Sequence, residues 1–159
     1  MPVCANPHLA RGFTLIELIS CIVIAGILAA VAAPKFFSSQ PFEQRGYVDE
    51  IAAALRHAQK VAVATGCDVS FTVNAGGYSA AQRGAVAGTC APAGAFTLPV
   101  RRLDGQSLAG TPPANVTSNP AIQVIFNSRG RVSNGTPAPL QIGTFTITVA
   151  VGSGFVSVQ

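Results

Sequence analysis

A single carboxylate, Glu17, lies near the start of a stretch of 22 residues, Phe13 to Pro34, that contains no other charge. A carboxylate inside a membrane helix costs roughly 2.5–3.5 kcal/mol on insertion scales, so it requires a partner. The stretch itself holds no cation that could be this partner, so we expect Glu17 to contact a cation from outside it. An interfacial Glu17 without a specific partner is the alternative.

Four arginines form two groups that could bind anions, Arg101–Arg102 and Arg129 with Arg131. If both groups meet on one surface, that surface could bind a phosphate backbone. The alternative is that these arginines are solvated or contact another subunit.

The chain is poor in the groups that catalysis uses. It has two His and six Asp or Glu residues, and no Ser, Cys or acid stands at a spacing that indicates a catalytic triad. No glycine motif for phosphate binding is present. His57 lies on a helical pattern, and together with Cys67 and Cys90 it lacks the spacing of metal ligands. We therefore expect no enzyme activity, no cofactor and no metal site.

The composition excludes several broad classes of protein. Hydrophobic residues make up 49% of the 159 residues, charged residues make up 10%, and the net charge is +4. The chain is thus too apolar for an ordinary soluble domain, in which roughly 25% of residues are charged. It is also too polar for a membrane protein with several spans, and its basic runs are too short for a nucleic-acid arm. Intrinsic disorder is excluded by the high hydrophobic content.

The apolar stretch is long enough for one transmembrane helix, since about 20 helical residues cross a hydrocarbon core of ~30 Å. Arg11 precedes it and Lys35 follows it, and the short basic amino terminus favours a cytoplasmic start. The alternatives are a buried core helix and a secretory signal peptide cleaved among Ala30–Ala33. Pro34 predicts a bend or local melting within Val31–Phe42.

A second helix is predicted over Phe42–Thr65, with Gly66 as the residue that ends it. Its apolar residues recur at spacings of three and four: Val48, Ile51, Ala52, Leu55, Ala58 and Ala62. This stripe should lie on a sheet.

The remaining residues alternate with period two, which is typical of strands. Strands are predicted around Val69–Val73, Ile122–Phe126, Phe145–Val151 and Phe155–Val158, with turns at Asn74–Gly77, Asn127–Gly130 and Gly152–Gly154. Gly84–Gly94 and Ala109–Pro120 are predicted loops. A long helix followed by antiparallel strands indicates the α+β class, with the helix packed on a carboxy-terminal β domain.

The junction before the apolar stretch reads RGFTLIEL over residues 11–18. It resembles the processing site of type IV prepilins, which type IV pilins and type II secretion pseudopilins share. The matching features are Arg-Gly before the bond, Phe13 after it, Thr14-Leu15, the acid at Glu17 and, further along, Pro34. The resemblance implies that a membrane prepilin peptidase cuts after Gly12 and methylates the new amino terminus at Phe13. A free α-amino group with a pKa of about 8 is largely protonated at neutrality, so we expect Glu17 to contact this amine, either its own or that of a neighbouring chain. It also implies assembly with other pilin subunits through the segment that holds Glu17 and Pro34, on an inner-membrane assembly platform.

The resemblance divides the chain into four parts. We expect a removed leader over 1–12, a transmembrane and assembly helix over 13–34, a kinked continuation with an amphipathic helix over 35–66, and a β-rich periplasmic domain over 67–159. The protein would first span the bacterial inner membrane once and then enter a pilus or pseudopilus filament.

Three later segments resemble one branch, the GspH/FimT-type minor pilins and pseudopilins: EIAAALRHAQKVAVATG at 50–66, IFNSRGRV at 125–132 and the terminal GSGFVSVQ. The first also resembles minor pilins of the mannose-sensitive haemagglutinin pilus system. The branch implies a β domain of two sheets and a minor pilin of a type IV pilus or of its tip. The alternatives are a type II secretion pseudopilin, a major pilin and a DNA-binding minor pilin, for which Gly130–Arg131 is the nearest string to the branch's Gly-Arg motif.

Two of the four cysteines would reach the periplasm. Cys4 lies in the implied leader and Cys21 in the apolar stretch, which leaves Cys67 and Cys90. The periplasm permits disulfides, so we expect these two to pair. Closing a loop of about 24 residues would contribute roughly 3 kcal/mol. Two buried free thiols are the alternative.

Overall fold

The computed structural model of the chain describes residues 13–36, 40–86, 89–91 and 93–159, with side chains in the first helix described as far as Ala30. Helix α1 spans Leu15–Phe36 and helix α2 spans Gln40–Thr65. α1 belongs to one compact unit, and the residues from Gln40 onward form a second, which we call the globular unit. The leader predicted over 1–12, including Gly12, lies outside the described residues.

Both helices begin, and α1 also ends, at residues that differ from the prediction. α1 continues past Pro34 to Phe36. α2 begins at Gln40, two residues before the predicted start, and holds Pro41 in its first turn, where a missing N–H breaks no helical hydrogen bond. The predicted bend falls partly on residues 37–39, which are outside the described part. Gly66 ends α2 as predicted, with a positive φ of 70° that suits glycine.

The predicted apolar stripe of α2 is its buried face. All six predicted residues are buried, and Tyr47 and Ala54 join them. Glu50, Arg56 and Lys60 are exposed. The spacing of three and four therefore identified correctly which side of this helix packs on the strands.

Eleven strands follow within the described residues. They are β1 Val69–Asn74, β2 Gly77–Arg83, β3 Ala85–Val86, β4 Thr89–Cys90, β5 Phe96–Pro99, β6 Ala109–Gly110, β7 Ser118–Asn119, β8 Ile122–Phe126, β9 Leu140–Ile142, β10 Phe145–Val149 and β11 Val156–Val158. The first sheet has the order β5-β2-β1-β8, with β6 also paired to β2. The second sheet has the order β11-β10-β9-β7, and β3 pairs only with β4. All of these pairs are antiparallel. The α+β class with two sheets is confirmed.

The core of the globular unit lies between α2 and the two sheets. α2 contacts β1, β2 and β8 of the first sheet and β10 and β11 of the second. Alternate residues of β1 (Val69, Phe71 and Val73) are fully buried, as the period of two predicted. Leu140 and Ile147 supply the second sheet's share of the same core. One hydrophobic core thus fixes both sheets to one helix.

The predicted loops are partly wrong. Gly84–Gly94 contains β3 and β4, and Ala109–Pro120 contains β6 and β7. Each of these strands has two residues, which is too short for a period of two to be visible. β6 and β7 pair with strands distant in the chain, as Tyr78 opposite Gly110 shows, whereas β3 and β4 pair with each other.

The outer edge of β8 is closed by a side chain. The Asn134 amide accepts a hydrogen bond from the Ile125 N–H at 2.9 Å and donates one to the Gln123 carbonyl at 2.7 Å. The Ser133 N–H adds a bond to the Ile125 carbonyl at 2.8 Å. Asn134 therefore takes the place of a neighbouring strand.

Candidate functional site

The amino-terminal helix exposes its apolar side chains. In the described part of α1, every large apolar side chain is between 48% exposed, at Ile19, and 76% exposed, at Leu15. These residues occupy all sides of the helix, and Phe13 before it is also exposed. A helix that is apolar all round belongs in an apolar environment. Over the part of the chain that the structure describes, no helix is both long enough and apolar enough to cross a membrane.

The start of α1 is fixed by Thr14, which the sequence named as part of the processing-site resemblance but not as a helix cap. The Thr14 hydroxyl accepts a hydrogen bond from the Glu17 N–H at 3.3 Å, and the Thr14 carbonyl accepts one from the Leu18 N–H at 3.1 Å. Thr14 is therefore the N-cap, and Glu17 stands in the first turn, where the helix dipole favours a carboxylate. The Thr-x-x-Glu pattern of a capping box was the available signal.

The structure joins Cys67 and Cys90 in a disulfide, with 5.3 Å between their Cα atoms. Cys67 follows the end of α2 and is buried, and Cys90 ends β4. The predicted pair is thus present, and it ties the short β3–β4 ladder to the start of β1. Cys21 is free and exposed on α1.

A polar network crosses from α2 to the first sheet. The Tyr78 hydroxyl donates to Glu50 Oε1 at 2.6 Å and accepts from Arg102 Nη2 at 2.7 Å. Arg102 also lies 3.5 Å from the Glu50 carboxylate and donates to the Ala109 carbonyl at 2.8 Å. Two effects raise the pKa of Tyr78: its burial, which is the larger, and its hydrogen bond to Glu50. This hydroxyl therefore stays protonated and remains a hydrogen-bond donor.

An open groove of about 450 Å³ runs beside this network. Its apolar lining comes from Ala53 and Ala54 of α2 and from Leu103 and Leu108. Its charged lining comes from the carboxylates of Glu50 and Asp104 and the guanidinium of Arg102. We call these residues the α2 groove. No sequence pattern indicates this groove, because its walls are up to 58 residues apart in the chain, as Glu50 and Leu108 are.

The two arginine groups are anchored to α2 at different residues. Arg102 is held by Glu50 and Tyr78, while His57 Nε2 lies 3.1 Å from the Arg101 carbonyl. The turn that carries Arg129 and Arg131 is held instead by Gln59, whose Nε2 donates to the Gly130 carbonyl at 2.8 Å. Glu50 and Gln59 are nine residues apart on α2, which is about two and a half turns, so they lie on opposite sides of the helix. DNA binding by the four arginines stays a prediction.

Ligands for a metal ion do not converge in the described ranges: no group of three His, Cys, Asp or Glu side chains is arranged to hold one. The half-buried His57 instead makes the hydrogen bond to the Arg101 backbone.

Two family descriptions match the chain. The prokaryotic N-terminal methylation motif matches residues 8–33, which include Phe13 and the capped start of α1. The type II transport protein GspH family matches residues 47–159, which take in most of α2 and all of the strands. The chain is therefore a pilin-like protein of the type IV pilin and pseudopilin superfamily. It belongs to the GspH family.

Two curated relatives are type IV pilins. The type IV narrow pilus major component PilA5 of Thermus thermophilus is 42% identical over 73 residues, covering 43% of this chain and 63% of that protein. The type IV major pilin protein PilA of Myxococcus xanthus is 38% identical over 103 residues, covering 60% of this chain and 46% of that protein. The chain thus spans less than two thirds of the length of either relative. No solved structure matches it.

Pilins and pseudopilins are structural subunits rather than enzymes, and the methylation motif indicates a membrane-anchored pilus subunit.

Proposed function

We propose that the chain is a structural subunit of a type IV pilus, assembled through its amino-terminal helix. In this proposal the segment Phe13–Pro34 first spans the bacterial inner membrane once, with the globular unit in the periplasm. A prepilin peptidase cuts after Gly12, and an inner-membrane platform then moves the subunit into the filament. The observation that carries the proposal is the apolar surface that α1 exposes on all sides.

The proposed assembly has little hydrophobic driving force. Lipid tails are as apolar as the neighbouring helices, so transfer from the bilayer to a helical filament core buries no new apolar surface from water. Van der Waals packing and specific polar contacts must then select the position of each subunit. Glu17 is the one charged side chain within Phe13–Pro34 that can do so, by contacting the Phe13 amine of a neighbouring subunit.

The proposal also assigns the filament to a type IV pilus rather than to a type II secretion pseudopilus. A type IV pilus is favoured by the names of both relatives. A type II secretion pseudopilus is the second candidate, favoured by the family that matches the globular unit. The sequence predicts a minor subunit, and this stays a prediction, since both relatives are named as major components.

The mature amino terminus distinguishes this proposal from a secreted domain. We expect mass spectrometry of the protein from cells to give a chain that begins at Phe13 and carries an added methyl group. A signal peptide would instead leave a chain that begins near Ala33 or Pro34. Detection of an intact Met1, or loss of the whole apolar stretch, would contradict the proposal.

Deletion of the gene separates the two filament systems. We expect loss or shortening of surface pili, because the missing subunit contributes helix contacts that the filament needs. Electron microscopy of sheared filaments measures this result, with the reintroduced gene as the control. Normal pili together with exported enzymes retained in the periplasm would assign the chain to type II secretion instead.

A further inference from the structure

The globular unit carries a second exposed surface, further toward the carboxy-terminal end of α2 than the α2 groove. It consists of Arg56 and Lys60 on α2, Arg129 and Arg131 in the turn after β8, and Phe155 before β11. We call these five residues the basic patch. All five are exposed, and Phe155 is 65% exposed although it is a large aromatic residue.

Hydrogen bonds hold the basic patch together. Gln59 Nε2 donates to the Gly130 carbonyl at 2.8 Å and to the Ser153 carbonyl at 2.9 Å, so it fixes both turns to α2. Arg56 Nη2 donates to the Val156 carbonyl at 3.2 Å, directly after Phe155. These bonds fix the turns that carry Arg129, Arg131 and Phe155 to the segment of α2 that carries Arg56 and Lys60. Among the described residues, none of the four cations forms an ion pair.

The α2 groove complements this patch in shape and charge. Two carboxylates, Glu50 and Asp104, face one guanidinium, Arg102, which leaves the lining with an excess of negative charge. Its apolar lining suits an aromatic side chain, and its volume of about 450 Å³ falls in the range of sites that enclose small organic groups. Leu103 is fully exposed at the rim and would gain cover from a bound partner.

We propose that the α2 groove of one copy receives Phe155 of a second copy, with the cations of the basic patch facing Glu50 and Asp104. The contact joins two different surfaces of the same unit, so it is heterologous and repeats from copy to copy without closing a dimer. This is the interface type that builds open filaments. The inference rests on the proposed function, because it requires adjacent copies in one filament.

The two surfaces also set the offset between neighbours. The groove lies along Glu50–His57 of α2 and the patch along Arg56–Lys60, so their centres are between four and five residues, or roughly 7 Å, apart along the helix. Two copies with parallel helices that make this contact are therefore displaced by that distance along α2. The result is a staggered arrangement.

Cysteine cross-linking in the full chain tests the contact. The variant Ala53→Cys/Phe155→Cys, made in a Cys21→Ser background, should give a ladder of covalent multimers when sheared filaments are oxidised. Ala53→Cys alone and Phe155→Cys alone should give none. A matched control is Ala53→Cys/Phe42→Cys, because Phe42 is also an exposed aromatic residue but lies outside the basic patch. This control should not form multimers.

A second variant covers the case in which the cysteines disturb assembly. Phe155→Ala should lower the amount of subunit in filaments about fivefold, whereas Phe42→Ala should have a smaller effect. Filaments that contain the double-cysteine variant but give no multimers would overturn the proposed contact and leave the proposed function intact. Unchanged incorporation of Phe155→Ala, or cross-linking only to a different subunit, would also overturn it. Absence of the unaltered chain from all filaments would contradict the proposed function itself.

Discussion

Replacing Glu17 by Ala should lower incorporation of the subunit into filaments by roughly 100-fold while leaving cleavage after Gly12 unchanged. In the proposed filament the Glu17 carboxylate neutralises the Phe13 amine of a neighbour. Without it, that ammonium group is left unpaired in apolar surroundings, at a cost of roughly 2.5–3.5 kcal/mol on insertion scales. Each 1.4 kcal/mol corresponds to about tenfold in an equilibrium. Quantitative immunoblots of sheared filaments against whole cells measure the effect.

Two further substitutions isolate the charge of Glu17. Glu17→Gln keeps the size and the position in the first turn of α1 but loses the charge, so it should behave like Glu17→Ala. Glu17→Asp keeps the charge on a shorter side chain and should retain part of the incorporation. Full incorporation of Glu17→Gln would show that the carboxylate does not select the position of the subunit. A block in cleavage would place Glu17 in peptidase recognition instead.

Removing the disulfide with Cys67→Ala/Cys90→Ala should destabilise the globular unit by roughly 3 kcal/mol. The bond joins residues separated by 23 positions, and it restricts the unfolded chain more than the folded one. For a unit of this size we expect the midpoint of thermal unfolding to fall by about 10 °C. Circular dichroism of the purified full chain in detergent measures the change.

The free cysteine supplies the control for this experiment. Cys21→Ala alters a thiol on α1, outside the globular unit, and should leave the unfolding midpoint unchanged. A reductant should lower the unfolding midpoint of the unaltered chain to that of Cys67→Ala/Cys90→Ala. It should not change the midpoint of the double variant. An equal midpoint for all forms would mean that the bond adds nothing to the folded unit's stability.

The main elements could be predicted because their patterns are long and local. Val69, Phe71 and Val73 alternate over five residues, and the stripe of α2 repeats over four turns, so each pattern reports which side is buried. The processing junction is likewise contiguous in sequence. Thr14 belongs to the same class of local signal, since a helix cap is visible three residues before Glu17.

The remaining features depend on contacts between distant residues. Tyr78 meets Glu50 across 28 positions and Arg102 across 24, and no local pattern indicates such a pairing. The arginines illustrate the same point, because adjacent residues separate: Arg102 joins the polar network, whereas the Arg101 side chain donates to the Gly105 carbonyl. Two arginines that are adjacent in the sequence therefore make different contacts in the folded chain.

In the proposed function, Asn134 matters for free subunits that have not yet entered a filament. An open strand at the edge of a sheet is a template on which another chain can add a strand. The Asn134 amide occupies the Ile125 N–H and the Gln123 carbonyl, so these two groups at the edge of the first sheet are closed to such pairing. Asn134 would thereby oppose irreversible aggregation of unassembled subunits at this edge.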